Sequence, residues 1–146
     1  MNPQPYSQLS DLEICSLAVW REARGEGLLG KRGVAHVIKN RADHGGWWGT
    51  SIASVVLHPF QFSSFLDSDP NSGLWPQDND PSYSDSLTVS EDVLVNGDED
   101  ITSGATSYFS TDIPTPIWAG TMDLTLSVGH FKFFRLKSAP QENTAT

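Results

Sequence analysis

The hydrophobic pattern of this chain changes period part-way along its length. Ser10-Asp-Leu-Glu13 reads as a capping box, in which the serine hydroxyl and the glutamate three residues later satisfy free amides at a helix start. At about 100° per residue, Leu12, Cys15, Val19 and Ala23 then fall on one stripe with Ala18 beside it, which predicts a helix ending near Gly25. Glu22 lands on the edge of that stripe. After a glycine-rich break from Gly25 to Gly30, Val34, Val37, Ile38 and Arg41 share one face of a second amphipathic helix. Gly45-Gly-Trp-Trp-Gly49 reads as a loop, and Ser51 as the cap of a short helix through Ile52, Val55 and Val56 that Pro59 stops.

Residues 67 to 85 are rich in Asp, Asn, Ser and Pro with few apolar anchors, so an exposed connection is expected there. A helix from about Ser86 to Val95 follows, closed by Asn96-Gly97. Beyond it the helical period is lost. Ala105 to Ser110, Leu124 to Val128 and His130 to Phe134 carry β-branched and aromatic residues at partly alternating spacing, the pattern of short strands. The tail from Ser138 is polar and expected to fray. No internal repeat or interdomain linker interrupts this order.

Composition narrows the reading. A chain of 146 residues with 38% hydrophobic and 18% charged positions suits one domain with its own core. Eighteen acidic against nine basic residues give a formal charge of −9, which disfavours nucleic acid and anionic membrane surfaces as partners. The single cysteine, Cys15, has no intrachain disulfide partner and reads as a small core residue rather than a nucleophile. The opening Met1-Asn-Pro-Gln-Pro-Tyr lacks the basic and apolar regions of a signal peptide, and no 18-residue apolar stretch follows. Cytoplasmic synthesis is therefore the expectation.

Candidate chemistry centres on Glu22. Burial at the apolar edge and proximity to a helix C-terminus both disfavour a negative charge, as a proton-donating carboxylic acid requires. Arg21, Arg24 and Arg41 are near in sequence and oppose that shift, so position alone leaves Glu22 equally an acid or an ion-pair partner. His36, His44, His58 and His130 lack metalloprotease spacing, which makes a zinc amidase or peptidase a weak alternative. Asp67-Ser-Asp-Pro-Asn-Ser-Gly73 with Asp78 departs from a calcium loop, its glycine one place late and its twelfth-position glutamate missing. No metal or cofactor is expected. Trp47-Trp48 between glycines reads either as a saccharide-stacking pair or as a loop with at least one ring packed beneath it.

A longer string bears on the choice for Glu22. Ala18-Val-Trp-Arg-Glu-Ala-Arg-Gly-Glu-Gly27, followed by Gly33-Val-Ala-His-Val-Ile-Lys-Asn-Arg41, resembles the opening motif of the SleB-type, or spore-cortex-lytic, cell wall hydrolases. The resemblance continues through Ser54-Val-Val-Leu-His-Pro-Phe-Gln-Phe-Ser63, Gly104-Ala-Thr-Ser-Tyr-Phe109 and Val128-Gly-His-Phe-Lys-Phe-Phe-Arg135, four motifs in order over about residues 10 to 136. It implies an α+β, mainly α, lysozyme-like single catalytic domain over residues 1–146, with a small β element and a polar tail at 138–146.

The resemblance also implies a glycosidase that cleaves the glycan strand of peptidoglycan next to N-acetylmuramic acid, with Glu22 as general acid and then base. The expected products are 1,6-anhydromuramyl ends, as from a lytic transglycosylase; a hydrolysing muramidase of the same fold is the alternative. Glu26 is the second carboxylate candidate, against a plain reading as a solvated loop residue. Gln61, Phe62, Ser63 and Tyr108 are substrate-contact candidates, with Trp118, Phe131 and His130 as an opposite wall; core or turn packing competes for Phe62, Trp118, Phe131 and His130. The expected partner is the glycan strand alone, bound by a monomer, and the expected setting is a bacteriophage lysin that reaches the wall after release from the host cytoplasm. A non-enzymatic saccharide-binding virion protein is the reading from a different class.

Overall fold

In the computed structural model, which describes residues 1–59 and 61–137, the Ser10 capping box forms as read. Glu13 N–H donates to Ser10 Oγ at 3.1 Å, and Ser10 N–H donates to Glu13 Oε1 at 3.0 Å. The helix it starts, α1 (Asp11–Ala23), is not the one-sided amphipath its apolar stripe suggests. Every residue from Ile14 to Arg21 is buried, because α1 runs through the centre of the molecule with other helices packed around it. Its polar members find partners from far along the chain: Trp20 Nε1 donates to Asp80 at 3.0 Å, and Arg21 Nε donates to the Leu74 carbonyl at 3.0 Å.

The glycine break is shorter than expected, and α2 (Leu28–His44) incorporates Gly30 and Gly33. Gly33 is needed for space, since a Cβ there would stand 2.3 Å from Cζ of Phe133. A short α3 (Ile52–Val56) follows, capped by Ser51 as expected. The next helix, α4 (Pro81–Leu94), begins five residues before the Ser86 start expected from the sequence. Asp80 caps it, accepting from the Ser82 and Tyr83 amides, and Pro81 takes the first helical position, where no amide is required. The 67–80 connection is also less loose than expected: Asp69 caps a 3-10 turn over Pro70–Gly73, and Trp75 stacks on Tyr6.

Three strands, β1 (Ser107–Ser110), β2 (Met122–Val128) and β3 (Phe131–Leu136), form an antiparallel sheet in the order β1-β3-β2. Each lies within a residue or two of the segment read from the sequence. A two-residue turn, Gly129-His130, joins β2 to β3, and a register shift between Leu124 and Leu126 bends β2. The sheet has two working faces. Tyr108, Phe131 and Phe133 pack toward the helical core, while Phe109 and Phe134 build a second cluster with Trp118, Ala119 and Met122. The architecture is α+β and mainly α, as expected; the tail at 138–146, expected to fray, lies outside the described residues.

On α2 a polar network ties the helical layer to the start of the sheet. Arg32 bonds Asp92 and Asp98, His36 meets Asp98 at 2.8 Å, and Asn40 donates to Asp100 and to the Ala105 carbonyl. Burying polar groups stabilises a fold only when each is paired, and here nearly all are. No helix among the described residues is long and apolar enough to cross a membrane.

Candidate active site

Glu22 occupies the last turn of α1, at the negative end of the helix dipole. Tyr108, carried in by β1, donates its hydroxyl to Glu22 Oε1 at 3.1 Å. Burial is the largest influence on Glu22 and pushes its carboxyl above the ordinary 4.5; Asp69 adds repulsion, while Ser64 and Tyr108 pull the other way by hydrogen bonding to the ionised form. The net direction is upward, toward a group that keeps its proton. Burial and the neighbouring carboxyl likewise raise the Tyr108 phenol well above its ordinary range, so it stays a donor. Ser64 turns its hydroxyl and backbone amide toward the carboxyl, although the hydroxyl completes no bond of full hydrogen-bonding geometry.

The three arginines near Glu22 in sequence separate in space. Arg21 points away, into a cage of Tyr6, Phe65 and Trp75 with its guanidinium carbon 4.7 to 5.5 Å from the ring centres. From there it donates to Tyr6 Oη and to the Ser64 carbonyl, which fixes the segment facing Glu22. Arg24 lies over Trp20 and donates to Asn71. Arg41 alone faces the acid and Tyr108 with its charge, held by a 2.6 Å bond to the Thr106 carbonyl and packed over Phe62. Its Nη1, the Ser64 hydroxyl and the Thr106 hydroxyl are buried without partners among the described residues. Such atoms are costly in a core and are tolerated where a site needs them.

Glu22 opens on a cleft of about 360 Å³ lined by Ala23, Gly25 and Glu26 on one side and Ser110, Asp112, His130 and Phe131 on the other. Larger grooves of about 640 and 630 Å³ lie elsewhere, beside the N-terminal segment and between α2 and α4, but neither is lined by Glu22 or Tyr108. Chemistry rather than size locates the site. Glu26 is not the solvated loop residue of the plainer reading. Its side chain is only 10% exposed and accepts from the His130 amide at 2.9 Å. Among the described residues, no group of three or more His, Cys, Asp or Glu stands close enough to hold a metal ion.

The remaining candidates divide. Tyr108 and Phe131 meet at the cleft, with ring centres 5.2 Å apart, and His130 stands at its mouth, 66% exposed. Phe62 is in the core beneath Arg41, Gln61 is partly exposed, and Ser63 is exposed; Ser64, one residue on, is the member of that segment turned toward Glu22. Trp118 does not join the cleft. It packs edge-on against Phe109 and Phe134 on the far face of the sheet, which corrects its placement as an opposite wall. Trp48 packs against His44 and near Arg41, while Trp47 is 67% exposed. Ser64 and Asp69 escaped the sequence reading: the pair Ser63-Ser64 was visible, but the 3-10 turn over Ser63–Phe65 decides which serine faces the acid.

A mainly helical domain that seats a shielded carboxylic acid against a small sheet is the class this geometry defines. The Cell Wall Hydrolase family matches residues 25–134, and the chain belongs to that family. Among its relatives, the spore cortex-lytic enzyme of Oceanobacillus iheyensis is 30% identical over 90% of this chain and 43% of its own length. The spore cortex-lytic enzyme of Bacillus cereus is 31% identical over 90% and 46% respectively. This chain thus spans less than half the length of either. The fold is that of SleB catalytic domains: that of Bacillus cereus superposes with a TM-score of 0.69 at 29% identity, over 91% of this chain and 94% of that one. The catalytic domain of the germination-specific lytic transglycosylase SleB of Bacillus anthracis gives the same score and identity, over 92% and 100%. Glu22 lies just before the span the family matches, so its role rests on its surroundings.

Proposed function

We propose that this protein cleaves the glycan strands of peptidoglycan between N-acetylmuramic acid and N-acetylglucosamine as a lytic transglycosylase, with Glu22 as general acid and then general base. The observation that carries the reading is the shielded Glu22 carboxyl, with raised proton affinity, bonded to Tyr108 at the floor of an open cleft. A protonated acid there donates to the glycosidic oxygen as the bond breaks. The resulting carboxylate, with the Arg41 guanidinium and Tyr108 hydroxyl nearby to favour its charge, then takes the proton of the muramyl 6-hydroxyl as that oxygen closes the anhydro ring. Membership of the family and likeness to the SleB domains support the substrate class.

Ring closure needs no second carboxylate, whereas an inverting hydrolase needs a base across the sugar and a retaining one a nucleophile about 5 Å from the acid. The other two carboxylates lining the cleft are otherwise engaged: Glu26 with the His130 amide, and the exposed Asp112 with the Ser110 hydroxyl. Digestion of purified sacculi in heavy-oxygen water separates the routes. Unlabelled 1,6-anhydromuramyl ends are expected, and label at the new muramic acid end means hydrolysis. Glu22→Gln should fold and lose at least about 100-fold in rate, the scale of general acid catalysis. Near-parent turnover by the folded variant removes Glu22 from the mechanism. The same proposal includes the setting of a phage lysin released from the cell that makes it. Appearance in the medium of intact cells expressing the protein alone contradicts that setting.

A further inference from the structure

Glu26 lies in the turn between α1 and α2, where its amide donates to the Ala23 carbonyl at 2.9 Å and its own carbonyl accepts from the buried Lys31 ammonium. Thus anchored, the side chain crosses to the turn between β2 and β3. Oε1 accepts the His130 backbone amide at 2.9 Å and stands 3.5 Å from His130 Nδ1. The approach is close on both sides. A Cβ at Gly30 would sit 2.9 Å from Glu26 Cβ, and a Cβ at Gly129 would sit 2.7 Å from Oε2, at a position whose φ of +56° already favours glycine. His130 and Phe131, the residues this turn presents, line the cleft opposite Glu22.

Resting on the glycosidase reading, we propose that Glu26 is a positioning residue: it clamps the Gly129-His130 turn so that one wall of the cleft is held for the glycan, and it takes no part in proton transfer. A carboxylate serving as base or nucleophile must present a free oxygen to water or sugar, and its amide replacement loses that chemistry. A clamp needs only an acceptor for a backbone N–H, and glutamine keeps one. The two roles therefore differ in what Glu26→Gln does.

The test uses soluble glycan oligomers with the purified chain and its Glu26→Gln, Glu26→Ala and Gly129→Ala variants, with Glu22→Gln as reference. Glu26→Gln should keep kcat within about threefold. Glu26→Ala should raise KM by about tenfold with kcat changed far less, the scale of losing one charge-assisted hydrogen bond. Gly129→Ala, which forces the carboxylate off the turn, should reproduce the KM effect. Hydrogen exchange at the His130 amide supplies a readout independent of turnover: protection should fall about tenfold in Glu26→Ala and persist in Glu26→Gln. A loss of kcat in Glu26→Gln matching that of Glu22→Gln overturns the proposal, as does an unchanged KM in a folded Glu26→Ala whose His130 amide stays protected. If Glu26→Ala does not fold, the kcat and His130 protection of Glu26→Gln decide in the same way. Should the parent release no glycan product, the glycosidase reading fails, and an unprotected His130 amide in the parent would then remove the clamp as well.

Discussion

Replacing Gly33 by alanine should destabilise the domain although alanine is the better helix former. In α2 the substitution alone would gain about 0.8–1 kcal/mol of helix propensity. Against this, the new Cβ would meet Cζ of Phe133 at 2.3 Å, more than 1 Å inside comfortable contact, and both ring Cε atoms within 2.8 Å. Phe133 is 0% exposed and is gripped by Tyr108 and Phe131, so the ring cannot turn into solvent and β3 must move instead. Overpacking of this kind costs about 1–3 kcal/mol, and contacts this short belong at or beyond the upper end. A net loss of about 2 kcal/mol follows, which lowers Tm by about 4–8 °C in a domain of this size. Because Tyr108 leans on Phe133 and also holds Glu22, turnover should fall with stability. Adding Phe133→Leu should recover at least about 1 kcal/mol relative to the sum of the single changes. Thermal melts of the four proteins check this; a Gly33→Ala protein as stable as the parent, or purely additive effects, would refute the reasoning.

Three further predictions follow from the same contacts. Since the folded Glu22 carboxyl is raised above its ordinary 4.5, its contribution to stability is fully present below about pH 4.5 and lost as pH rises through the folded value. Glu22→Gln should therefore melt close to the parent at pH 4.5 and above it at pH 8, and a gap that does not change with pH would contradict this. Tyr108→Phe removes a donor to a shielded carboxyl and should lower kcat by about tenfold while shifting the alkaline limb of the pH–rate profile upward; an unmoved limb would show that the phenol does not set the proton affinity of Glu22. Burial pushes the Cys15 thiol up to about 12, so thiol reagents should label it only after unfolding, and rapid labelling of the native protein would count against its placement.

What the sequence revealed was local, and what it hid depended on distant partners. The Ser10 and Ser51 caps are written in three or four consecutive residues and were legible. The start of α4 was equally local, as Asp80-Pro81, but was submerged in a polar run that reads as a connection. The all-round burial of α1 was invisible because Trp20 and Arg21 are satisfied by Asp80, Leu74, Tyr6 and Ser64, groups brought near only by the fold. The same limit applies to the site. Glu22 and Tyr108 stand in recognisable strings, yet nothing in the spacing indicates that Arg21 would turn away while Arg41 faced the acid. Trp118 was misplaced because it lies in the 3-10 turn Ile117–Thr121, outside any strand, and its packing against Phe109 and Phe134 depends on groups that only the fold brings near.

The two-faced sheet also restricts how this molecule can diverge. Phe133 faces the helices and Phe134 the outer cluster, so a slip of β3 by one residue would exchange their places and carry Lys132 or Phe134 to the Tyr108 side. Inserting or deleting a single residue in the Gly129-His130 turn invites that slip, whereas side-chain replacements on the outer face do not. Variation in this hairpin should therefore accumulate as changes of identity at fixed length, and differences in length should be confined to segments outside the sheet.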